Sequence, residues 1–379
     1  MERTDQHGDM SGGNDGEIRH LYVHIPFCHR ICPYCSFYKH EPGGTDTAAF
    51  LHSLTRELKA AEERWPGRVR PETVYFGGGT PTLLSTSHLQ RWLPEFRSVL
   101  DFTNVREWTV EVNPRTIDER KAAVLLENGI TRASLGVQAW DLPTLSVLGR
   151  DHAPEEAEEA FSILRRAGFP VVNIDLMFSV PGQSLETWRE TLHRTISLQP
   201  DHVSAYNLTY EEDTAFFDKL TAGEYRRDET ADGDCFSAAI EMLSEAGFIH
   251  YEISNYSRPG CESLHNQSYW AGEDYLGLGP GAVSTIDRTR WKNVSNTALY
   301  ISDPCAGRET EHLTDAQWSC ERIALELRTR KGVRLIHLPF PERLPDITAA
   351  GLAEVAQDCL RLTEKGKPLA DTIAAHLWT

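Results

Sequence analysis

The sequence predicts an α/β protein: a parallel sheet of six βα units that curls toward a barrel, then a mixed segment, then a small, mainly helical C-terminal domain. Two observations carry this expectation. Apolar runs of strand length alternate with amphipathic stretches of helix length from residue 21 to about residue 208. The residues of chemical interest also fall just after the apolar runs, where α/β barrels carry their sites.

Taken in order, residues 1–19 are rich in Gly, Asp and other polar residues without periodicity, and read as a disordered leader. Strands are expected at 21–25, 73–76, 108–112, 132–137, 171–177 and 202–208. Helices are expected between them at 48–61, 88–100, 118–126, 154–167 and 184–198, where apolar residues recur at three- and four-residue spacing. This barrel is assigned to 20–210. Over 211–310 the alternation lapses into a helix near 234–246, a strand-like run at 248–253 and a glycine-rich segment at 272–281, read as an extension of the barrel. The last segment, 311–379, carries amphipathic stretches at 318–327 and 352–362 and is expected to form the helical domain.

Composition narrows the function classes. The 379 residues carry 38 Lys and Arg against 56 Asp and Glu, a net charge of −18 that repels nucleic-acid phosphates and anionic lipid. A nucleic-acid partner is therefore not expected. The chain shows neither a long apolar run nor a basic, apolar leader, so the cytoplasm is the expected location. In that reducing compartment the eight cysteines point to metal binding, catalysis or burial rather than to disulfides.

Three of the eight are clustered. Cys28, Cys32 and Cys35 have C-x3-C-x2-C spacing, while Cys235, Cys261, Cys305, Cys320 and Cys359 are scattered and read as incidental thiols. A structural zinc with a fourth ligand from elsewhere is one reading of the triplet, although zinc sites usually use paired C-x2-4-C units. Soft thiolates also hold iron–sulfur clusters, one per iron, so three on a cubane leave one iron open to another ligand. The other residues at strand ends are Gly77-Gly78-Gly79-Thr80-Pro81-Thr82, Glu111, Asn113, Gln138 and Asp175. Alone, the glycine run would be a turn, and each carboxylate a salt bridge at the barrel rim.

Together, Tyr22-Val23-His24-Ile25-Pro26-Phe27-Cys28, Gly78-Gly79-Thr80-Pro81-Thr82, Leu135-Gly136-Val137-Gln138, Leu148-Gly149-Arg150 and Ile174-Asp175-Leu176 resemble the anaerobic coproporphyrinogen oxidase branch of the radical S-adenosylmethionine (SAM) proteins. The likeness runs from about residue 20 to the C-terminus. It implies an incomplete (βα)6 radical SAM barrel with a small, mainly helical C-terminal domain. It further implies that Cys28, Cys32 and Cys35 hold a [4Fe-4S] cluster whose open iron is chelated by SAM, and that an electron passed to the sulfonium releases a 5′-deoxyadenosyl radical. By the same resemblance Tyr22, Tyr34, Gly78, Gly79, Thr80, Glu111, Gln138, Arg150 and Asp175 are the SAM contacts. Small glycines let the backbone approach SAM, and Arg150 can pair with a carboxylate.

One departure redirects the reading. The oxidase pattern continues C-x3-C-x2-C-x-C, whereas Phe37 occupies the last position here. That places the chain among oxidase-like relatives that act as heme chaperones and argues against coproporphyrinogen decarboxylation, the main alternative. A second feature agrees: His265-Asn266-Gln267-Ser268-Tyr269-Trp270 fits the H-N-x-x-Y-W pattern associated with heme in that group. His265 is the expected heme-iron ligand, with His250 a weaker candidate; Arg288, Arg290 and Lys292 could neutralise the propionates but read better as a solvated basic turn. Val283 stands where relatives often have a histidine. The implied partners are heme, apo-hemoprotein clients and an unidentified electron donor, with membrane contact only through clients.

Overall fold

The computed structural model describes residues 16–378. Six parallel strands, each followed by a helical segment, form its centre: β1 (Ile18–Ile25), α1 (Thr47–Arg64), β2 (Val69–Gly78), α2 (Thr86–Arg97), β3 (Glu107–Val112), α3 (Glu119–Glu127), β4 (Arg132–Gln138), α4 (Leu142–Val147), α5 (Pro154–Ala167), β5 (Val171–Phe178), α6 (Leu185–Ser197) and β6 (His202–Asn207). Local chemistry starts these helices. The side chains of Asp46, Ser85, Asp118, Asp141 and Ser184 each accept from a backbone N–H of the first turn of α1, α2, α3, α4 and α6. Gly168, left-handed at φ 90°, ends α5.

The strands alternate strictly. Leu21, Val23, Ile25, Val74, Phe76, Val110, Leu135 and Ile174 are buried toward the helices and form the main core. The opposite face is polar, with His20, Tyr22 and His24 on β1, Thr73 and Tyr75 on β2, Glu107 and Glu111 on β3, and Asn173 and Asp175 on β5. Hydrogen bonds run between these inward residues, as in His20–Thr73, Tyr75–Glu111 and Ser134–Asp175. The barrel therefore encloses a polar interior, suited to a polar ligand rather than to apolar packing.

The next segment supplies both flanks of the sheet. It contains α7 (Ala215–Thr221), α8 (Glu229–Glu245), β7 (Ile249–Glu252), β8 (Asn255–Ser257), α9 (Leu264–Trp270), β9 (Tyr275–Leu278), β10 (Val283–Ile286), β11 (Thr289–Lys292), α10 (Thr297–Ser302) and β12 (Glu309–His312). β9 pairs parallel to β1 and is extended by β10, β11 and β12, while β8 pairs antiparallel to β6 and carries β7 outside it. Among the described residues this makes one open sheet of 12 strands, ordered β12-β11-β10-β9-β1-β2-β3-β4-β5-β6-β8-β7.

The C-terminal part has a core of its own around Ile323, Leu327, Val333, Leu360, Ile373 and Leu377. It comprises α11 (Asp315–Glu326), β13 (Val333–Arg334), α12 (Leu344–Ala349), β14 (Ala353–Ala356), β15 (Cys359–Leu362) and α13 (Ala370–Trp378). The helices fit the expectation, but the amphipathic stretch at 352–362 is a hairpin. Gln357 and Asp358 adopt left-handed φ of 52° and 60°, which reverses the chain and pairs Val355 with Leu360. Such a turn breaks a helical period that apolar spacing alone suggests. Of the expected leader, residues 1–15 lie outside the described residues, and Ile18 and Arg19 already belong to β1. No helix among the described residues is long and apolar enough to cross a membrane.

Candidate functional site

The loop after β1 is closed before any ligand arrives. Cys28 N donates to the His40 carbonyl at 3.0 Å and His40 N to that of Pro26 at 2.9 Å, so the 28–40 segment leaves and rejoins one point. Pro33 sits against Gly149, whose left-handed φ of 68° and lack of a Cβ permit the contact; a Cβ there would lie 2.6 Å from the proline ring. Cys28, Cys32 and Cys35 are free, half-buried thiols on this loop. Burial pushes the Cys28 thiol up to about 11 against the lowering effect of Thr80, and it raises Cys35 as well.

The three thiols line one wall of a cavity of about 470 Å3 above the strand ends. Tyr34, Gly78, Gly79, Thr80, Glu111, Gln138, Arg150 and Asp175 line it as well, so the barrel gathers nearly all the residues singled out from the sequence. Tyr22 is the exception among the expected SAM contacts. It stands one layer behind, its ring 6.1 Å from that of Tyr75 and its hydroxyl 3.0 Å from His24 Nδ1. His24 Nε2 lies 2.7 Å from the Tyr38 carbonyl, which can only accept, so Nδ1 accepts from Tyr22. Burial lowers His24 to about 4, which keeps that ring neutral.

The glycine run has a reason besides the close approach to SAM that the resemblance implies. A Cβ on Gly77 would meet Glu111 Oε1 at 2.8 Å, on Gly78 the His24 ring at 2.3 Å and on Gly79 the Ile25 carbonyl at 2.7 Å. Each points into the barrel wall, so the glycines seat this loop on β1 and β3, and with it Thr80, whose hydroxyl reaches Cys28 Sγ at 4.0 Å.

Two carboxylates face the cavity. Glu111 accepts from Tyr75 Oη at 3.0 Å and Gly78 N at 3.1 Å, yet burial first and Asp175 second raise its carboxyl to about 7. Burial also raises Asp175, against the hydrogen bonds that it accepts from Ser134 and Asn173 at 2.9 and 2.7 Å. Opposite charge is supplied by Arg150, which donates to the Gly136 carbonyl at 2.7 Å and lies 3.8 Å from Cys32 Sγ. Gln138 holds a left-handed φ of 69°, a conformation disfavoured by of order 1 kcal/mol or more for a side chain of its kind. Its Nε2 thereby lies 3.0 Å from where a Cβ on Gly136 would be.

The residues present fit the groups that the resemblance implies. Among the described residues no three His, Cys, Asp or Glu side chains converge as ligands of one metal ion, and the three half-buried thiols share one cavity wall. Arg150 Nε is buried without a hydrogen-bond partner in the cavity wall, as a guanidinium awaiting an acidic group would be. Facing it across the cavity, two raised carboxyls await a cation.

The H-N-x-x-Y-W segment forms α9, which lies against the inner face of β2. Glu107, on the adjacent β3, accepts from Leu264 N at 3.0 Å, His265 N at 2.9 Å and Ser263 Oγ at 3.2 Å, with Arg132 at 3.7 Å. Asn266 lines the cavity; His265 is half-buried beside it, its ring 5.2 Å from that of Tyr75 and tilted 33° to it. Burial lowers His265 to about 3, so its imidazole is neutral. Of the other residues considered for heme, His250, Arg290 and Arg288 are already engaged, while Lys292 is exposed at the end of β11. His250 stacks on Tyr256 at 4.2 Å with both ring nitrogens bonded, Arg290 forms a two-pronged pair with Glu321 at 2.7 Å, and Arg288 pairs with Asp315.

The comparisons with known proteins agree with this geometry. The radical SAM superfamily profile matches residues 22–195. The heme chaperone HemW of Lactococcus lactis is 34% identical over 315 residues, 82% of each chain. That of Bacillus subtilis is 31% identical over 373 residues, 94% of this chain and 98% of its own. The chain belongs to the HemW family of radical SAM proteins. The fold of the family is seen in coproporphyrinogen III oxidase (HemN) of Escherichia coli, which superimposes with a TM-score of 0.81 at 24% identity, covering 96% of this chain and 91% of that one.

Within this HemW-family chain, Tyr75, Tyr206 and the cavity role of Asn266 are among the features of the cavity that escaped the sequence reading. Strand parity carries the signal for the first, since Tyr75 lies two residues before Gly77 on the inward face. Asn266 depends on how α9 docks, which no local pattern encodes. The raised Glu111 gives a test: SAM brings a cationic sulfonium that only the ionised carboxylate attracts. SAM affinity, measured by calorimetry on the reconstituted protein, should therefore rise from about pH 6 to about pH 8. Glu111→Gln should weaken binding about 10-fold at the upper pH and flatten the profile.

Proposed function

We propose that this protein is a cytoplasmic heme chaperone that binds heme and passes it to apo-hemoproteins, with a [4Fe-4S] cluster and SAM as its cofactors. The observation that carries the reading is its family membership, with curated relatives that are heme chaperones at 31–36% identity over most of the chain. Phe37, 64% exposed at the cavity where the oxidase pattern has a fourth cysteine, supports it.

Cys28, Cys32 and Cys35 would hold the cluster. Arg150 would pair with the SAM carboxylate, Glu111 and Asp175 would face its positive groups, and Gly78, Gly79, Thr80, Gln138 and Tyr34 would form the walls. When bound, the cluster supplies an electron and SAM an acceptor for it. The chain's own part is placement: the closed 28–40 loop fixes the thiols, and the polar barrel interior fixes the carboxyls. Tyr22 acts from behind, by holding His24 and Tyr75. His265 would ligate heme iron as a neutral imidazole, which is the ligating form.

The test is an anaerobic assay with coproporphyrinogen III, SAM and a reductant, run beside heme transfer to an apo-hemoprotein. The expected outcome is transfer of heme with no protoporphyrinogen. Formation of protoporphyrinogen over many turnovers would overturn the chaperone reading in favour of the oxidase.

A further inference from the structure

Four side chains outside the cavity form a continuous hydrogen-bonded line that ends on His265. Glu273 Oε2 lies 2.9 Å from His20 Nε2, His20 Nδ1 lies 2.9 Å from Thr73 Oγ1, and Thr73 Oγ1 lies 2.8 Å from His265 Nδ1. Arg19 anchors the outer end, donating to Glu273 at 2.8 Å and to Glu72 at 3.2 Å. The hydrogen bond from His20, with Arg19 alongside, holds the Glu273 carboxyl below its usual range, so it is a carboxylate that can only accept.

For a neutral His20 the direction of every bond follows from proton inventory. His20 donates from Nε2 to Glu273. When His20 carries one ring proton, the one given to Glu273, its Nδ1 is a lone pair and accepts from the Thr73 hydroxyl. That hydroxyl has spent its one proton, so its oxygen accepts from His265 Nδ1–H. His265 is left with the lone pair on Nε2. The ring is also held in place, through its backbone N on Glu107 at 2.9 Å and its contact with the Tyr75 ring at 5.2 Å, tilted 33°.

We propose that Glu273, His20 and Thr73 are positioning residues that set His265 in the Nδ1–H tautomer, making Nε2 its iron-binding atom and strengthening it as a donor to heme. This rests on the reading of His265 as a heme ligand. A ligating imidazole whose other nitrogen donates toward a carboxylate is more basic and better aimed than one left to water, and losing such support lowers metal affinity about 10- to 100-fold. The line also accounts for the buried His20, whose ring lies 6.3 Å from that of His265 and which the cavity does not use.

The experiment titrates heme into the full-length protein and records affinity together with the iron–histidine stretching band of the ferrous complex by resonance Raman. His265→Ala should abolish the band. Thr73→Val, which keeps shape but removes the hydroxyl, should lower both the band frequency and the affinity, the latter about 10-fold. Thr73→Ser should restore both, separating loss of the hydroxyl from disturbed packing, and Glu273→Gln, at the half-exposed outer end, should shift the band in the same direction. If His265→Ala abolishes the band while Thr73→Val and Glu273→Gln match the wild type, the positioning line is overturned and the ligand assignment stands. If His265→Ala retains the wild-type band, both fall together.

Discussion

Replacing any one of Cys28, Cys32 and Cys35 with alanine is expected to abolish the cluster. Iron and sulfide should fall from about four each per chain in the anaerobically reconstituted protein to near zero. The expectation follows from how the thiols are presented. All three sit on one loop, and none has a spare neighbour, since the other cysteines are scattered through the chain. Without one of the three thiolates the site would lack a ligand for one iron, and no other cysteine stands near to replace it. The loop itself is held by backbone contacts, including Thr80 N on the Phe27 carbonyl at 2.7 Å and Phe216 N on that of Pro33 at 3.2 Å. The variants should therefore keep wild-type circular dichroism and melting in the cluster-free form. Stoichiometric zinc without sulfide in the wild type would instead sink the radical SAM assignment of the site.

Arg308→Ala is expected to cost about 3 kcal/mol of stability, the other large effect. Glu57, 1% exposed on α1, accepts from Gly279 N at 2.8 Å, Asn293 Nδ2 at 2.7 Å and Tyr300 Oη at 2.5 Å, and pairs with Arg308 at 2.7 Å. Removing the arginine leaves a carboxylate in a buried site with its countercharge gone. Burial already raises the Glu57 carboxyl, with Arg308 opposing that shift. In the variant it rises further, so the folded state holds a proton that the unfolded state releases. The loss should accordingly shrink as pH falls and grow as pH rises through the carboxyl's folded value. Urea denaturation at two pH values reads both sign and size; equal losses at acid and neutral pH would refute the charge argument.

The barrel was legible because its code is local. Alternating apolar residues give the strands, three- and four-residue spacing gives the helices, and capping Asp and Ser residues mark the starts. The cavity was legible for a related reason: in parallel βα units the residue after a strand has few places to go, so Glu111, Gln138 and Asp175 meet although 27 and 37 residues separate them in turn. What stayed hidden depends on contacts distant in sequence. The docking of α9 rests on Glu107, 158 residues before His265, and the line from Glu273 to His265 needs two strands and a returning loop. The packing role of the glycine run was hidden, because only the folded neighbours reveal where a Cβ would point. In the hairpin at 353–362, two left-handed turn residues overrode an apolar spacing that fits a helix equally well.

The two-sided placement of the segment after β6 bears on how such a barrel could be borrowed. Its strands close off β1 at one side and β6 at the other, the first and last members of the parallel set. A cut near residue 210 would leave both of those strands with bare backbone donors and acceptors, ready to recruit a stranger's strand. The barrel is thus not a transplantable cassette. A graft into another scaffold would have to carry the later hundred residues with it, or supply two replacement hems.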